Sequence, residues 1–110
     1  MNRQQQLDQF SLALHRRAIE VLRREPALRA RALDTLARWR LQAGATRSDR
    51  LWYEWEQLLG SSDVEALADA ALAESDHGQL MRSVSPMGGL VDQHERAQLL
   101  KLARGQVAAQ

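Results

Sequence analysis

From Gln4 to Arg24 the apolar residues Leu7, Phe10, Leu14, Ala18, Val21 and Leu22 recur three and four positions apart, whereas no run in the chain alternates apolar with polar residues. Spacing of three and four lines one face of an α-helix, and alternation lines one face of a strand. A chain carrying only the first pattern buries its apolar surface by packing helix against helix. The apolar residues are mostly Ala and Leu, the best helix formers; Val and Ile are scarce, and no Asn-Gly or Asp-Gly pair is present to turn a hairpin. At 110 residues there is room for one modest core and not for two, so a single helical domain over residues 1–110 is expected.

Local punctuation divides the chain into segments. Leu12 and Ile19 widen the stripe of the first helix, and Pro26 interrupts it, because proline disfavours helix at the residue before it while suiting the first turn of the next. The second helix runs through Leu28, Ala32, Leu33, Leu36, Ala37 and Trp39 to Leu41, and Gly44 stops it in left-handed geometry. Thr46 and Asp49 make a capping-box-like start for a third, with Leu51, Trp52, Trp55, Leu58 and Leu59 as its stripe and Gly60 as its end. Ser62 with Glu65 opens a fourth through Val64, Leu67, Ala68, Ala71 and Leu72, and Ser75 caps a short fifth, weakened by Gly78, that carries Leu80 and Met81. Pro86 and Gly88-Gly89 make a loop of residues 83–90. Asp92 with Glu95 opens a last helix through Ala97, Leu99, Leu100, Leu102 and Ala103; Gly105 ends it, and the tail to Gln110 frays. The expected fold is all-α, a single compact bundle of about five to six helices, with no internal repeat and no linker long enough to separate domains.

Several kinds of chemistry are not expected. There is no cysteine, so disulfides, thiolate zinc sites, iron–sulfur clusters and thiol nucleophiles are excluded, and a reducing cytosol is the simplest home. The polar stretch Met1 to Asp8 holds no apolar signal region, and no segment approaches the ~18 apolar residues of a membrane span. All but one of the basic residues are Arg, Lys101 being the exception, a bias that fits a high-GC bacterial genome. His15, His77 and His94 fall on three different helices and each is expected at the surface or at a cap; His94-Glu95 has Gln98 where a zinc-protease pattern needs a second His. Ser83 and Ser85 lie in no nucleophile elbow, and Gly88-Gly89 belongs to no phosphate-binding pattern. No catalytic residue, cofactor or metal is therefore assigned, and the chain is expected not to be an enzyme.

Charge and aromatic placement point to binding. Residues 1–55 carry eleven Arg against six acids, a net of +5, and residues 56–110 carry four basic residues against eight acids, a net of −4. Intramolecular pairing, a basic face for an anionic partner and head-to-tail association of copies all fit that polarity. With aromatics at only 5% of the chain, the core needs the bulk of Trp52 or Trp55, which leaves Trp39 and Tyr53, off the main stripes, as interface candidates. Val84, Met87, Leu90 and Val91 either pin the last helix to the core or form an apolar contact surface. Arg38, Arg40, Arg47 and Arg50 bracket Gly44 between two helices in the manner of a DNA-binding helix-turn-helix, although Asp49, Glu54 and Glu56 would meet phosphate unfavourably.

Three segments carry a resemblance: Leu12-Ala-Leu-His-Arg-Arg-Ala through Leu33-Asp-Thr-Leu-Ala-Arg-Trp39, then Trp52-Tyr-Glu-Trp-Glu-Gln-Leu-Leu59, then Ser85-Pro-Met-Gly-Gly-Leu90 before Glu95-Arg96. Together they resemble small helical proteobacterial proteins of the antitoxin type, which are encoded beside a toxin and neutralise it. The resemblance implies a cytoplasmic protein whose partner is a toxin. The expected partner surface joins the second-to-third helix region with the loop, through Trp39, Arg47, Arg50, Tyr53, Met87 and Leu90. The rival expectation is a DNA-binding transcriptional regulator that uses Arg47 and Arg50.

Overall fold

Six α-helices make up the computed structural model, which describes residues 3–61 and 63–108. They are α1 (Arg3–Arg24), α2 (Arg29–Ala43), α3 (Asp49–Ser61), α4 (Val64–Ala71), α5 (Asp76–Ser83) and α6 (Gln93–Ala108), with 3-10 turns at Pro26–Leu28 and Met87–Leu90. No strand occurs among the described residues. The fold is the all-α bundle expected from the apolar spacing.

Three of the expected caps form where the sequence places them. Asp92 Oδ1 accepts the Glu95 N–H at 2.8 Å, and Ser75 Oγ accepts the Gly78 N–H at 3.0 Å. Thr46 and Asp49 exchange bonds, Thr46 N–H donating to Asp49 Oδ2 at 3.3 Å while the Asp49 N–H returns to the Thr46 carbonyl. Gly44 closes α2 at φ 65°, the only positive φ among the described residues, and its N–H bonds the Arg40 carbonyl. Two glycines do not act as stops: α3 continues through Gly60 to Ser61, and α6 through Gly105 to Ala108. Glycine inside a helix costs about 1 kcal/mol and does not forbid it. Ser62, expected to cap α4, lies outside the described residues, as do Ala109 and Gln110 of the expected frayed tail; Asp63 caps α4 by accepting the Ala66 N–H at 2.8 Å.

The first helix is the hub. It packs against α4, α5, α6 and the Met87–Leu90 turn, while α2 and α3 lie side by side as a helical hairpin. Ile19 and Leu22 of α1, Leu36 of α2, Trp55 and Leu59 of α3, Leu67 of α4 and Met81 of α5 are the large side chains at the centre. Two arginines complete the frame by closing helix C-termini, whose last carbonyls have no partner within their own helix. Arg29 Nη1 donates to the Leu58 and Leu59 carbonyls at 3.2 and 2.9 Å. Arg82, buried, donates through Nη1 to the Ala71 and Ala73 carbonyls at 3.0 and 2.6 Å.

The opposite charges of the two halves meet within the fold. Arg17 of α1 reaches Glu95 of α6, Arg23 of α1 lies 2.8 Å from Glu65 of α4, and Arg40 of α2 lies 2.7 Å from Glu56 of α3. Of the three readings the charge asymmetry leaves open, intramolecular pairing thus accounts for part of it.

Gly78, read in the sequence as a weak point of α5, is a packing requirement. A β-carbon there would stand 2.0 Å from the Ala73 carbonyl oxygen, a backbone atom that no rotamer change moves aside. Gly78→Ala is therefore expected to cost about 2–3 kcal/mol despite the higher helix propensity of Ala, because the turn between α4 and α5 must shift. A denaturation midpoint equal to or above that of the parent chain would show that the turn yields freely.

Candidate functional site

The hairpin of α2 and α3 brings most of the expected surface together. Its helices are tied by the Arg40–Glu56 ion pair and by Trp39, half-buried, leaning on Trp52 with ring centroids 6.2 Å apart and planes at 41°. Trp52 and Trp55 are the core tryptophans. Their indole N–H groups donate to the Val84 carbonyl at 3.1 Å and the Met81 carbonyl at 2.8 Å, which fastens α3 to the end of α5. With those rings facing inward, helical geometry turns Tyr53 one step, about 100°, away from Trp52, and it is 57% exposed.

Arg47 in the connection and Arg50 in the first turn of α3 are exposed and form no ion pair among the described residues. Arg50 precedes Tyr53 by three residues and so neighbours it on the outer face of α3. One residue missed by the sequence reading belongs here as well. Leu41, read as part of the stripe of α2, is 85% exposed. Its position was legible: five residues after the buried Leu36 a helix has turned about 500°, which puts the side chain on the far side. Tyr53 lies one turn before Glu56 and so neighbours the ion pair that joins the two helices, whereas Leu41, one step of about 100° from Arg40, is turned toward Arg38 on a different face of α2.

Met87 and Leu90 do not belong to this surface. Met87 is 0% and Leu90 8% exposed, and with the buried Pro86 and Val91 they pack under the Met87–Leu90 turn against α1. The Ser85 hydroxyl shapes the turn by accepting the Met87 N–H at 3.0 Å. Gly88 allows its close approach to α1, since a β-carbon there would lie 3.3 Å from Leu14 Cδ2. Of the two readings of this loop, burial favours core over contact surface, although the turn is seated on α1 and α2 and not on the last helix; a four-residue turn gains more by burying its apolar side chains there than by showing them to water.

The histidines divide. His94 is exposed on α6, and His77 of α5 sits 2.9 Å from Glu54 of α3 at the surface. His15 departs from its expected place at the surface or a cap. It is 2% exposed, stacked on Trp55 with centroids 6.2 Å apart and planes at 25°. Nδ1 lies 2.7 Å from the Ser11 carbonyl, and Nε2 is buried with no hydrogen-bond partner among the described residues. A carbonyl oxygen only accepts, so Nδ1 carries the proton and Nε2 the lone pair. Burial above all, with the nearby Arg82 guanidinium, pushes the imidazole pKa down to about 4, against the opposing effect of the Ser11 bond.

Among the described residues no group of three His, Asp or Glu side chains converges to hold a metal ion, and no helix is long and apolar enough to cross a membrane. Four of the six expected surface residues, Trp39, Arg47, Arg50 and Tyr53, lie on the α2–α3 hairpin or in its connection. No family model, no curated protein and no solved structure matches the chain.

Proposed function

We propose that this chain is a non-enzymatic protein-binding module that presents the α2–α3 hairpin to its partner, and that the partner is a toxin which it neutralises. The supporting observation is an exposed aromatic side chain, Tyr53, on the same hairpin as two exposed arginines, Arg47 and Arg50, that no acid among the described residues engages. Tyr and Arg are the residues that most often anchor protein interfaces, and an arginine left without an internal partner keeps its full hydrogen-bonding capacity for an external one. The toxin comes from the resemblance of the three segments to antitoxin-type proteins.

Affinity purification of the tagged chain at moderate salt, with nuclease treatment in parallel, tests this. A single stoichiometric, nuclease-resistant protein is expected. Tyr53→Ala combined with Arg47→Ala should reduce its recovery at least about tenfold, since truncating an interface anchor typically costs more than 1 kcal/mol. Met87→Ala, which alters the core, serves as a control for folding rather than for contact. Undiminished recovery from the double variant would remove the hairpin from the interface.

The DNA-binding reading draws on the same arginines and on one further observation: Glu56, an acid of α3 expected to repel phosphate, is engaged by Arg40. It predicts nuclease-sensitive recovery and duplex affinity that falls steeply with salt and is lost on substitution of Arg47 and Arg50.

A further inference from the structure

Away from the hairpin, α1 and α5 enclose a cleft of ≈ 630 Å³. Leu7, Phe10 and Leu80 line it, and Leu7 and Leu80 are largely exposed, Leu80 at 54%. Asp8 and Asp76 are the acids along it, and Arg82 is the one basic residue among its described lining residues. That charge is already committed: the guanidinium donates inward to the Ala71 and Ala73 carbonyls, while burial lowers its pKa and Asp8 and Glu74 act to hold it charged. Asp8 also accepts from Gln4 Nε2 at 3.0 Å, and with two carboxylates against one guanidinium the edge keeps a net charge of −1, so the cleft suits an apolar side chain accompanied by a cation.

The chain displays such a side chain elsewhere. Among the described residues Leu41 is the most exposed large apolar side chain, and it projects at the rim of a shallow groove lined also by Arg31 and Arg38 of α2 and by Gly89, with Asp34 the one acid among the described lining residues. Arg38 precedes Leu41 by three residues and so stands beside it on the helix. Among the described residues neither Arg31 nor Arg38 forms an ion pair.

From this charge complementarity, and from the projection of Leu41 into solvent, we propose that the occupant of the cleft is a second copy of the chain, whose Leu41 enters between Leu7 and Leu80 while its Arg31 and Arg38 face Asp8 and Asp76. The two surfaces are different, so the contact is heterologous: each copy offers one ridge and one cleft, and association continues head to tail rather than closing as a two-fold dimer. One apolar side chain with its flanking charges makes a small interface of the weak class, populated at high protein concentration and loosened by salt. Because Leu41, Arg31 and Arg38 are on α2 of the hairpin of the proposed function, a partner seated over Leu41 would compete with self-association.

Sedimentation of the purified full chain from micromolar to millimolar concentration, at low and at high salt, reads this without any partner, so its failure is separable from failure of the toxin-binding reading. The weight-average mass at the highest concentration is expected to exceed the monomer's by at least about 1.5-fold at low salt and to fall towards it at high salt. Leu41→Asp removes the ridge and Leu80→Arg obstructs the cleft; both sites are exposed, so both variants should keep their circular dichroism and remain monomeric. Mixed in equal amounts, they should form a dimer that grows no further, because one retains the cleft and the other the ridge. A wild-type chain that stays monomeric at millimolar concentration overturns the proposal, as does association that survives either substitution or a mixture that remains monomeric. A monomeric chain whose cleft variant instead loses a partner recovered from lysate would assign the cleft to a different protein.

Discussion

Acidification from pH about 7 to pH about 4 is expected to cost this fold on the order of 3 kcal/mol through one side chain, His15, and His15→Leu should abolish that part of the loss. The sign follows from the site. In the unfolded chain the imidazole titrates near its ordinary value of 6.5; in the core it titrates near 4, chiefly because burial disfavours the charged ring. The folded state thus binds the proton more weakly than the unfolded state does. Stability from this group is complete above pH 6.5, declines as pH falls from there towards 4, and changes little further below.

The geometry says why the proton is unwelcome. It would have to reside on Nε2, which has no hydrogen-bond partner among the described residues, with Trp55 stacked on the ring and the Arg82 guanidinium nearby. Leu at this position leaves no orphan behind, because the Ser11 carbonyl still accepts the helical N–H of residue 15. Carboxylates also titrate over this range, so the informative quantity is the difference between the two chains in denaturation free energy at the two pH values. Equal losses in the parent and His15→Leu chains would clear His15 of any part in acid unfolding.

Trp55→Ala is expected to destabilise the domain by about 3–5 kcal/mol. The indole is fully buried where α1, α3 and α5 meet, stacks on His15 and donates to the Met81 carbonyl at 2.8 Å. A domain of this size has about 5–15 kcal/mol in all, so the variant should stand near the edge of unfolding at room temperature. Trp55→Phe separates bulk from bonding. It keeps most of the ring volume and loses the N–H donor, and the Met81 carbonyl retains the Val84 N–H at 3.3 Å, so a cost of about 1–2 kcal/mol is expected. Urea midpoints of the two variants measure the division; a Phe variant as unstable as the Ala variant would make the hydrogen bond, and not the packing, the dominant contribution.

Both predictions rest on residues whose roles the sequence exposed unequally. Trp55 was legible as core, because it lies on the apolar stripe of a helix in a chain with few other bulky residues. His15 was not: it interrupts the stripe of α1 as a polar residue, and its burial arises from Trp55, forty positions away, closing over it. The same contrast runs through the candidate surface. Tyr53 and Trp39 were set apart by helical phase alone, and Tyr53 is exposed while Trp39 is half-buried against Trp52. Met87 and Leu90 carry no phase information, since they sit in a Pro-Gly-Gly turn with no repeating period. Only the position of that turn against α1 decides that they are core.

What the sequence determined by itself are the events that act within about four residues. These include the helical period, the proline that separates α1 from α2, the positive φ at Gly44, and the caps at Ser75 and Asp92. Each is a backbone preference or a hydrogen bond closed inside one turn, so neighbouring residues suffice to specify it. The tertiary structure alone decided what depends on distant partners. Arg29 closes the end of α3 some thirty residues on, Arg23 meets Glu65 forty-two residues on, and Gly78 is required because Ala73 turns back on it. It also left Leu41, Tyr53, Leu7 and Leu80 outside the core. A sequence shows that a side chain is apolar, but whether water touches it depends on which helix lies across it, and that is settled only when all six are packed.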